Sequence, residues 1–218
     1  LKAVCPELDS LDIGGGLPVP ESLDFSYDYV QVVKRIIGNI QHICHERGVA
    51  PPHLFTEFGQ YTVAESGAII LGVIGEKRQN DTETWYMIDN SIITSLPDAW
   101  GTGERFVMLP VNHWYKGYQR VNLGGLTCDS MDYYNAEIHE RQVFLPTHQP
   151  EDPLVIGFFY TGAYQEALSG YGGLKHCLIP DMQHLLVDVD GDGNPYYQCF
   201  RGTQSSEAML ELLGFGKG

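Results

Sequence analysis

The first sixty residues alternate strand, helix and strand, and this order restricts what the chain can fold into. Residues 11–13 and 54–57 are short apolar runs, and residues 27–47 between them place apolar side chains at alternating spacings of three and four. That spacing predicts an amphipathic helix. Strands joined by a helix imply a parallel sheet, and two strands with one helix cannot close a barrel. We therefore expect this segment to be an incomplete piece of a larger α/β unit.

The ends of the predicted helix carry their own signals. Ser26 is the expected N-cap, because a hydroxyl can accept a hydrogen bond from the first turn. Gly48 can adopt the left-handed conformation that ends a helix, and Pro51 and Pro52 forbid its continuation.

Beyond about residue 69 the sequence changes to a β-type pattern. Runs rich in β-branched and aromatic residues are separated by Gly, Pro, Asn and Asp, at residues 85–94, 105–111, 142–145 and 154–160. Two further runs, 185–189 and 195–200, flank a Gly-Asp-Gly-Asn turn and predict a hairpin, and residues 206–213 predict a short helix. The expected fold class is α/β plus all-β, divided into residues 1–66 and 67–218.

Charge and cysteine usage exclude several classes of protein. Of the 218 residues, 13 are Lys or Arg and 28 are Asp or Glu, so the net charge of −15 disfavours binding to nucleic acid or to anionic lipid. No apolar stretch reaches the roughly 20 residues of a membrane span, and the first residues do not form a signal peptide, so we expect a cytoplasmic protein. The five cysteines are scattered without a CxxC pair and are predicted to be free thiols.

Three features suggest chemistry, and each has a purely structural alternative. Gly14, Gly15 and Gly16 follow a strand, where successive backbone N–H groups can bind a phosphate or simply form a tight turn. Glu57 ends the next parallel strand, where α/β folds bind ligands, but it can equally be a solvated turn residue. Cys128 adjoins a carboxylate, so the pair offers a proton donor and an anion, although a single cysteine is often a small buried hydrophobe.

Two apparent metal sites have simpler interpretations. Residues 188–194 imitate the start of an EF-hand loop, but position twelve is Cys199 instead of glutamate and β patterns flank it, so we predict a turn. His42 and His45 lack the HExxH spacing and any companion cluster, so we expect no metal site there.

Four motifs taken in order resemble the alanine-racemase-like, fold type III, pyridoxal 5'-phosphate (PLP)-dependent decarboxylases. They are Leu-Asp-Ile-Gly-Gly-Gly-Leu at 11–17, Thr-Glu-Phe-Gly-Gln at 56–60, Leu-Thr-Cys-Asp-Ser at 126–130 and Thr-Gly-Ala-Tyr-Gln-Glu at 161–166. Within that group, Ser-Leu-Pro-Asp-Ala-Trp at 95–100 and the motif around Tyr164 look most like the biosynthetic arginine decarboxylases. The Cys-Asp pair fits as well, since diaminopimelate decarboxylases tend to carry Cys-Glu at that place.

The resemblance implies a fold and an assembly. Residues 1–66 would be the last part of a PLP-binding, TIM-like (β/α)8 barrel, and residues 67–218 a C-terminal β-sandwich or Greek-key β-barrel domain with short helices. The protein would be a homodimer or higher oligomer with shared active sites, because the family's Cys-Asp loop reaches the cofactor of the partner subunit. The reaction would be decarboxylation of a basic amino acid, with arginine converted to agmatine for polyamine biosynthesis, or ornithine or lysine as the substrate instead.

The resemblance also implies a role for each site residue. Gly14, Gly15 and Gly16 would hold the PLP phosphate through backbone N–H groups, and the Tyr164 hydroxyl would add a donor. Glu57 would face the pyridine nitrogen. Cys128 would return a proton to Cα, and Asp129 would pair with the distal cation of the substrate. Gln60 stands where the family usually has a phosphate-binding arginine.

The family's Schiff-base lysine is expected upstream of the glycine triplet, where this chain has only Lys2. A Schiff-base lysine needs a desolvated site, and the sequence around the remaining lysines predicts none. These are Lys34, Lys77, Lys116, Lys175 and Lys217. We therefore expect the chain to be the C-terminal part of a longer enzyme and inactive alone. Two other classes stay open, namely a catalytically inactive decarboxylase homologue that binds a partner, and an acidic calcium-binding β module.

Overall fold

The computed structural model describes residues 4–134, 142–168 and 175–216. Its first part is a β–α–β unit: strand β1 (Ser10–Asp12) and strand β2 (His53–Phe55) pair in parallel, and helix α1 (Tyr29–Glu46) connects them. The predicted order of elements is therefore confirmed. The two strands are in register with Leu11 opposite Leu54, so both end at the same edge.

Helix α1 starts later than the sequence suggested. The predicted cap at Ser26 is wrong, because the Asp28 side chain accepts the Gln31 backbone N–H at 2.9 Å. The carboxylate lies next to the helical turn and provides the acceptor that Ser26, two residues earlier, cannot. At the other end Gly48 has a φ of 61°, as expected for the residue that follows a helix.

The second part is a six-stranded mixed sheet with the order β5-β8-β3-β4-β6-β7. Its strands are β3 (Ala68–Arg78), β4 (Thr84–Ile88), β5 (Val107–Pro110), β6 (Tyr118–Gly124), β7 (Val143–Pro146) and β8 (Val155–Phe159). Strands β4 and β6 pair in parallel, and the other neighbours are antiparallel.

The core lies on one face of this sheet. In β3, Ile69, Leu71 and Val73 are buried while Ile70 is half exposed, which is the two-residue period of a strand with one covered face. The core also contains Tyr86, which is fully buried and donates its hydroxyl proton to the Pro146 carbonyl oxygen at 3.1 Å.

Short helices lie between the strands and after the last one. They are α2 (Gly59–Val63), α3 (Ile92–Ser95), α4 (Pro97–Gly101), α5 (Gln165–Leu168) and α6 (Ser206–Leu212), with 3-10 turns at Ala64–Ser66 and His176–Leu178. The strand predicted over residues 85–94 is wrong in its second half, because α3 occupies that part. Ser91 caps α3 by accepting the Thr94 N–H, a local bond that the apolar pattern does not reveal.

The chain ends in a hairpin followed by α6. Strands β9 (His184–Val189) and β10 (Pro195–Arg201) pair antiparallel, and the Asp190 carboxylate accepts backbone N–H groups of Asp192 and Asn194 at 2.9 and 2.8 Å. The hairpin and its turn are therefore confirmed. Within the described residues, no helix has both the length and the apolar character that crossing a bilayer requires.

Two glycines bring the two parts of the chain together. Gly162, just after β8, donates its N–H to the Ala64 carbonyl oxygen at 2.9 Å, and the Thr161 N–H bonds the Gly67 carbonyl oxygen at 3.0 Å. A Cβ on Gly67 would lie 2.5 Å from the Gly162 backbone. The backbones touch here, so the segment that leads to α5 lies directly against the end of α2.

Candidate active site

The glycine triplet and Glu57 meet at the carboxyl edge of the parallel pair. The Glu57 N–H donates to the Gly14 carbonyl oxygen at 2.9 Å, which extends the pairing of β1 and β2 beyond the strands. A Cβ on Gly15 would lie 2.7 Å from the Glu57 carbonyl oxygen. Only glycine fits at that position, and the close approach holds the triplet beside Glu57.

The other two glycines face open space. Gly14 and Gly16 have positive φ angles of 71° and 95°, and a Cβ on either would meet no atom within 4 Å. The Gly14 N–H already donates to the Asp12 side chain at 2.7 Å. Among the described residues nothing accepts a hydrogen bond from the N–H of Gly15 or Gly16. The triplet thus offers two backbone donors beside an open surface, which suits a bound phosphate.

An open depression of about 550 Å³ adjoins Glu57. Residues 56–59 and 61–63 line it, so it lies where β2 leads into α2. The Glu57 side chain is exposed, and Gly59 has no atom within 4 Å of a hypothetical Cβ. The carboxylate is therefore accessible to a ligand placed beside the triplet.

Gln60 has a partner inside the chain. Its Nε2 donates to Glu104 Oε1 at 2.6 Å, so the amide bonds a carboxylate in the loop that follows α4. Within α4, Asp98 Oδ2 accepts a hydrogen bond from Gln165 Nε2 at 2.8 Å. Two glutamine amides thus bind one pair of carboxyl groups, and this links α2 to α5.

The surroundings of Glu104 disfavour the charged form of its carboxyl group. Burial raises the pKa of Glu104 above its ordinary value, and the nearby Asp98 raises it further, while the hydrogen bond from Gln60 lowers it. The Gln60 amide therefore offsets part of the cost of keeping the Glu104 carboxylate charged.

Tyr164 lies immediately before α5. It is about half exposed and has a positive φ of 61°, so the backbone turns sharply there. The Gly162 contact with Ala64 and the Gln165 bond to Asp98 hold the chain on either side of it. Within the described part of the chain, no hydrogen bond joins the Tyr164 hydroxyl to the triplet.

Cys128 and Asp129 lie on the loop that follows β6. Asp132, which is buried, holds this loop in place: its Oδ2 accepts the Thr127 hydroxyl and N–H at 2.6 and 3.0 Å, and its Oδ1 accepts the Ile92 N–H at 2.8 Å. The loop is therefore bound to the start of α3. Cys128 and Asp129 project from a fixed support and are themselves exposed.

The Cys128 thiol has close neighbours from a distant segment. Its Sγ lies 3.7 Å from Cys177 Sγ, and the Asp129 carboxylate lies 3.8 Å from His176 Nε2. The pKa of Cys128 is raised, first by its hydrogen bond with Cys177 and then by the proximity of that second thiol. Cys128 is consequently a protonated thiol at neutral pH, which is the form that can donate a proton.

The predicted site residues form two groups. Glycines 14–16, Glu57 and Gln60 lie around the end of the parallel pair, whereas Cys128 and Asp129 lie on the β6 loop, with no hydrogen bond or ion pair between the groups among the described residues. Sequence reasoning missed Asp132, His176 and Cys177. Asp132 stands four residues after Cys128, but nothing in the sequence shows that it is buried; the other two are brought close only by folding.

One lysine is buried. The sequence around Lys175 did not indicate a desolvated site, yet its side chain is 2% exposed. Glu166 and Asp181 bind its Nζ at 2.8 and 3.2 Å, and the local pattern does not reveal either contact. Both carboxylates engage the amine, so Lys175 joins these segments, and the expectation that no described lysine forms a Schiff base stays a prediction. Lys2 and Lys217 lie outside the described residues.

The sequence relatives are decarboxylases, although no protein-family model matches the chain. The biosynthetic arginine decarboxylase of Proteus mirabilis is 32% identical over 163 residues, which are 72% of this chain and 24% of that protein. The chain spans about a quarter of the length of this relative.

Solved structures of the same class share the fold. The biosynthetic arginine decarboxylase SpeA of Campylobacter jejuni matches with a TM-score of 0.78 at 17% identity, over 98% of this chain and 49% of that one. SrLDC in complex with PLP and cadaverine matches with a TM-score of 0.57 at 22% identity, over 72% of this chain and 37% of that one. The lysine decarboxylase of Selenomonas ruminantium matches with a TM-score of 0.60 at 21% identity, over 78% of this chain and 42% of that one.

Over the matched residues, the chain shares the fold of the fold type III decarboxylases. Within that class, the sequence is similar to biosynthetic arginine decarboxylases, over a part of their length.

Proposed function

We propose that this chain is part of a PLP-dependent enzyme that decarboxylates a basic amino acid, with arginine converted to agmatine. The observation that carries the proposal is the backbone contact between the glycine triplet and Glu57, which places two N–H donors and a carboxylate around one open surface. The similarity to arginine decarboxylases supports the choice of arginine over ornithine or lysine.

The triplet and its neighbours bind the cofactor. The N–H groups of Gly15 and Gly16 donate to the phosphate, and Tyr164 adds its hydroxyl from the start of α5. Gln60 lies at the edge of this group and acts through its bond to Glu104, so its contribution is to hold α2 in place. An amide in place of the family's arginine leaves the phosphate with one charged contact fewer, and weaker cofactor binding is expected.

Glu57 and Cys128 perform the proton chemistry. When bound, PLP supplies an electron sink for the pair left at Cα when CO2 departs. Glu57 holds a proton at the ring nitrogen, which keeps that sink effective. Cys128 returns a proton to Cα of the substrate, and its raised pKa suits the role because the thiol stays protonated.

Asp129 selects the substrate by charge. Its carboxylate binds the distal guanidinium of arginine through a two-pronged contact. Among the described residues no hydrogen bond or ion pair joins the Cys128 loop to the triplet, and the proposed assembly is a homodimer in which the loop of one subunit completes the site of its partner. The protein would act in the cytoplasm on a free amino acid, without a nucleic-acid or membrane partner.

The β–α–β unit and the part that contains the large sheet belong to two domains in this interpretation. Residues 1–66 form the last part of a PLP-binding (β/α)8 barrel, and residues 67–218 form the C-terminal β domain. The exposure of Leu11, Ile37 and Phe55 on the β–α–β unit supports this, since these apolar side chains are normally covered in a complete barrel. The lysine that holds PLP then lies on another part of the longer protein.

The engagement of Gln60 with Glu104 also favours a second candidate, an inactive homologue that keeps the fold to bind a partner. Full-length protein reconstituted with PLP separates the two. For an active enzyme we expect CO2 release from arginine at a higher kcat/KM than from ornithine or lysine, whereas the inactive homologue releases none from any of them.

The role of Cys128 has a test of its own. In Cys128→Ala we expect the ratio of decarboxylation to transamination to fall by about tenfold or more, because no thiol returns the proton to Cα. The matched control is Cys199→Ala, which removes another exposed thiol and should leave the ratio unchanged. An unchanged ratio in Cys128→Ala would contradict the assignment.

A further inference from the structure

Two exposed cysteines from distant parts of the chain meet beside the proposed substrate site. Cys128 Sγ and Cys177 Sγ lie 3.7 Å apart, and both side chains are exposed. The sulfurs of a disulfide are about 2.05 Å apart, so they would have to approach by about 1.7 Å. Neither residue belongs to a strand: Cys128 is on the β6 loop and Cys177 is in a 3-10 turn. Rotation of the two side chains and a small loop movement can supply that distance.

His176 provides a base for one of these thiols. Its Nε2 lies 3.6 Å from Cys177 Sγ and 3.8 Å from Asp129 Oδ2. The imidazole can accept the Cys177 proton, and the carboxylate then pairs with the imidazolium that results. Because a thiolate is the attacking species in disulfide exchange, this arrangement makes Cys177 the sulfur that attacks first.

We propose that Cys128 and Cys177 form a reversible disulfide that removes the Cys128 thiol from the active site. The bond itself follows from the geometry of this chain, and its effect on catalysis rests on the function proposed above. The oxidant is a low-molecular-weight disulfide such as oxidised glutathione, which is reduced to two thiols.

The exchange proceeds in two balanced steps. The Cys177 thiolate attacks one sulfur of the oxidant, whose sulfur–sulfur bond breaks, and the departing thiolate takes up the proton held by His176. The Cys128 sulfur then attacks Cys177 Sγ, forms the new bond and expels the second thiolate, which takes up the Cys128 proton. Two electrons pass from the cysteine sulfurs to the oxidant. The product has no sulfur-bound proton left to return to Cα.

Peptide mapping tests the bond without any turnover. Full-length protein is equilibrated with reduced glutathione in about tenfold excess over the oxidised form, then alkylated and digested. Under these conditions a single cysteine returns to the thiol, whereas a neighbouring pair stays bonded because its effective concentration is high. We expect a peptide that joins Cys128 to Cys177, absent in Cys177→Ser and retained in the control Cys199→Ser. Wild-type protein without this peptide would overturn the proposal.

Activity tests the consequence. In the same buffer we expect decarboxylation to fall by about tenfold relative to the fully reduced protein, and by less than about twofold in Cys177→Ser relative to its own reduced form. Dithiothreitol should restore the wild-type rate. A joined peptide with undiminished decarboxylation would overturn the blocking role. A reduced protein that never decarboxylates would count against the proposed function alone, since the mapped peptide would still support the bond.

Discussion

Glu104 is held in a position that disfavours its charge. It is partly buried beside Asp98, and a single amide, from Gln60, donates to its Oε1. Its raised pKa means that the folded chain binds a proton there more tightly than the unfolded chain does. The free energy of unfolding therefore falls as the pH rises from the ordinary to the raised pKa of Glu104. Above the raised pKa the full cost of burying the charged carboxylate is present.

Replacing that carboxyl should stabilise the chain at neutral pH. Glu104→Gln keeps the oxygen that accepts from Gln60 but removes the buried charge, so we expect a higher urea midpoint at pH 7. The gain should shrink as the pH is lowered toward the ordinary value of 4.5. The control is Glu7→Gln at an exposed site, which should leave the midpoint unchanged at both pH values. If the unfolding curves of Glu104→Gln and wild type coincide at pH 7, the charged Glu104 carboxylate does not destabilise the fold.

At the scale of elements, the loop after β6 depends on one buried carboxylate. Asp132 accepts four hydrogen bonds of 3.1 Å or less, from Ser91, Ile92 and Thr127. Asp132→Ala would leave these buried donors without an acceptor, and we expect a loss of about 2–4 kcal/mol in the free energy of unfolding. Chemical denaturation measures it.

The matched control for this variant is Asp81→Ala. The Asp81 side chain is fully exposed and pairs with Arg78 at 3.2 Å, so its removal should leave the free energy of unfolding almost unchanged. Equal losses in the two variants would mean that Asp132 does not support the loop.

The elements that could be predicted are those with a regular apolar period. The α1 spacing and the alternation in β9 were sufficient for both elements to be found, to within about two residues at their ends. Strand β6 was missed because Gln119, Arg120 and Asn122 interrupt its apolar pattern. It is a strand because it lies between β4 and β7, and a single sequence does not display that pairing.

The candidate site likewise has a part that the sequence predicts and a part that appears only in the folded chain. The triplet and Glu57 were predictable because both follow strands that end at one edge of a parallel pair. The approach of Cys177 to Cys128 was not, since it depends on where a turn 49 residues later is placed. The bond between Gln60 and Glu104 was likewise hidden, because α2 and the loop after α4 meet only after folding.

At the scale of the whole molecule, stability should be unevenly distributed. The six-stranded sheet contains the buried core, whereas β1–β2 and β9–β10 are isolated two-stranded sheets with exposed Leu11, Phe55 and Val187. Two-stranded sheets are marginally stable in water. In hydrogen exchange of this chain, we expect the amides of β3 and β8 to be protected about a hundredfold or more relative to those of β1 and β9.

Mass spectrometry of peptides from each sheet measures that protection. Assembly with the rest of a barrel should selectively slow exchange in β1 and β2, so full-length protein serves as the comparison. Uniform protection across all three sheets in the isolated chain would contradict the expected hierarchy.

The order of strands in the large sheet also determines when each strand can pair during translation. Strand β3 forms an antiparallel pair with β4 soon after both leave the ribosome, but its other edge pairs Ala68 with Phe159. At roughly 5–20 residues per second, that edge waits on the order of ten seconds for its partner. Throughout the wait, its unpaired amides and carbonyls can recruit a neighbouring nascent chain, so slower translation raises the risk of aggregation.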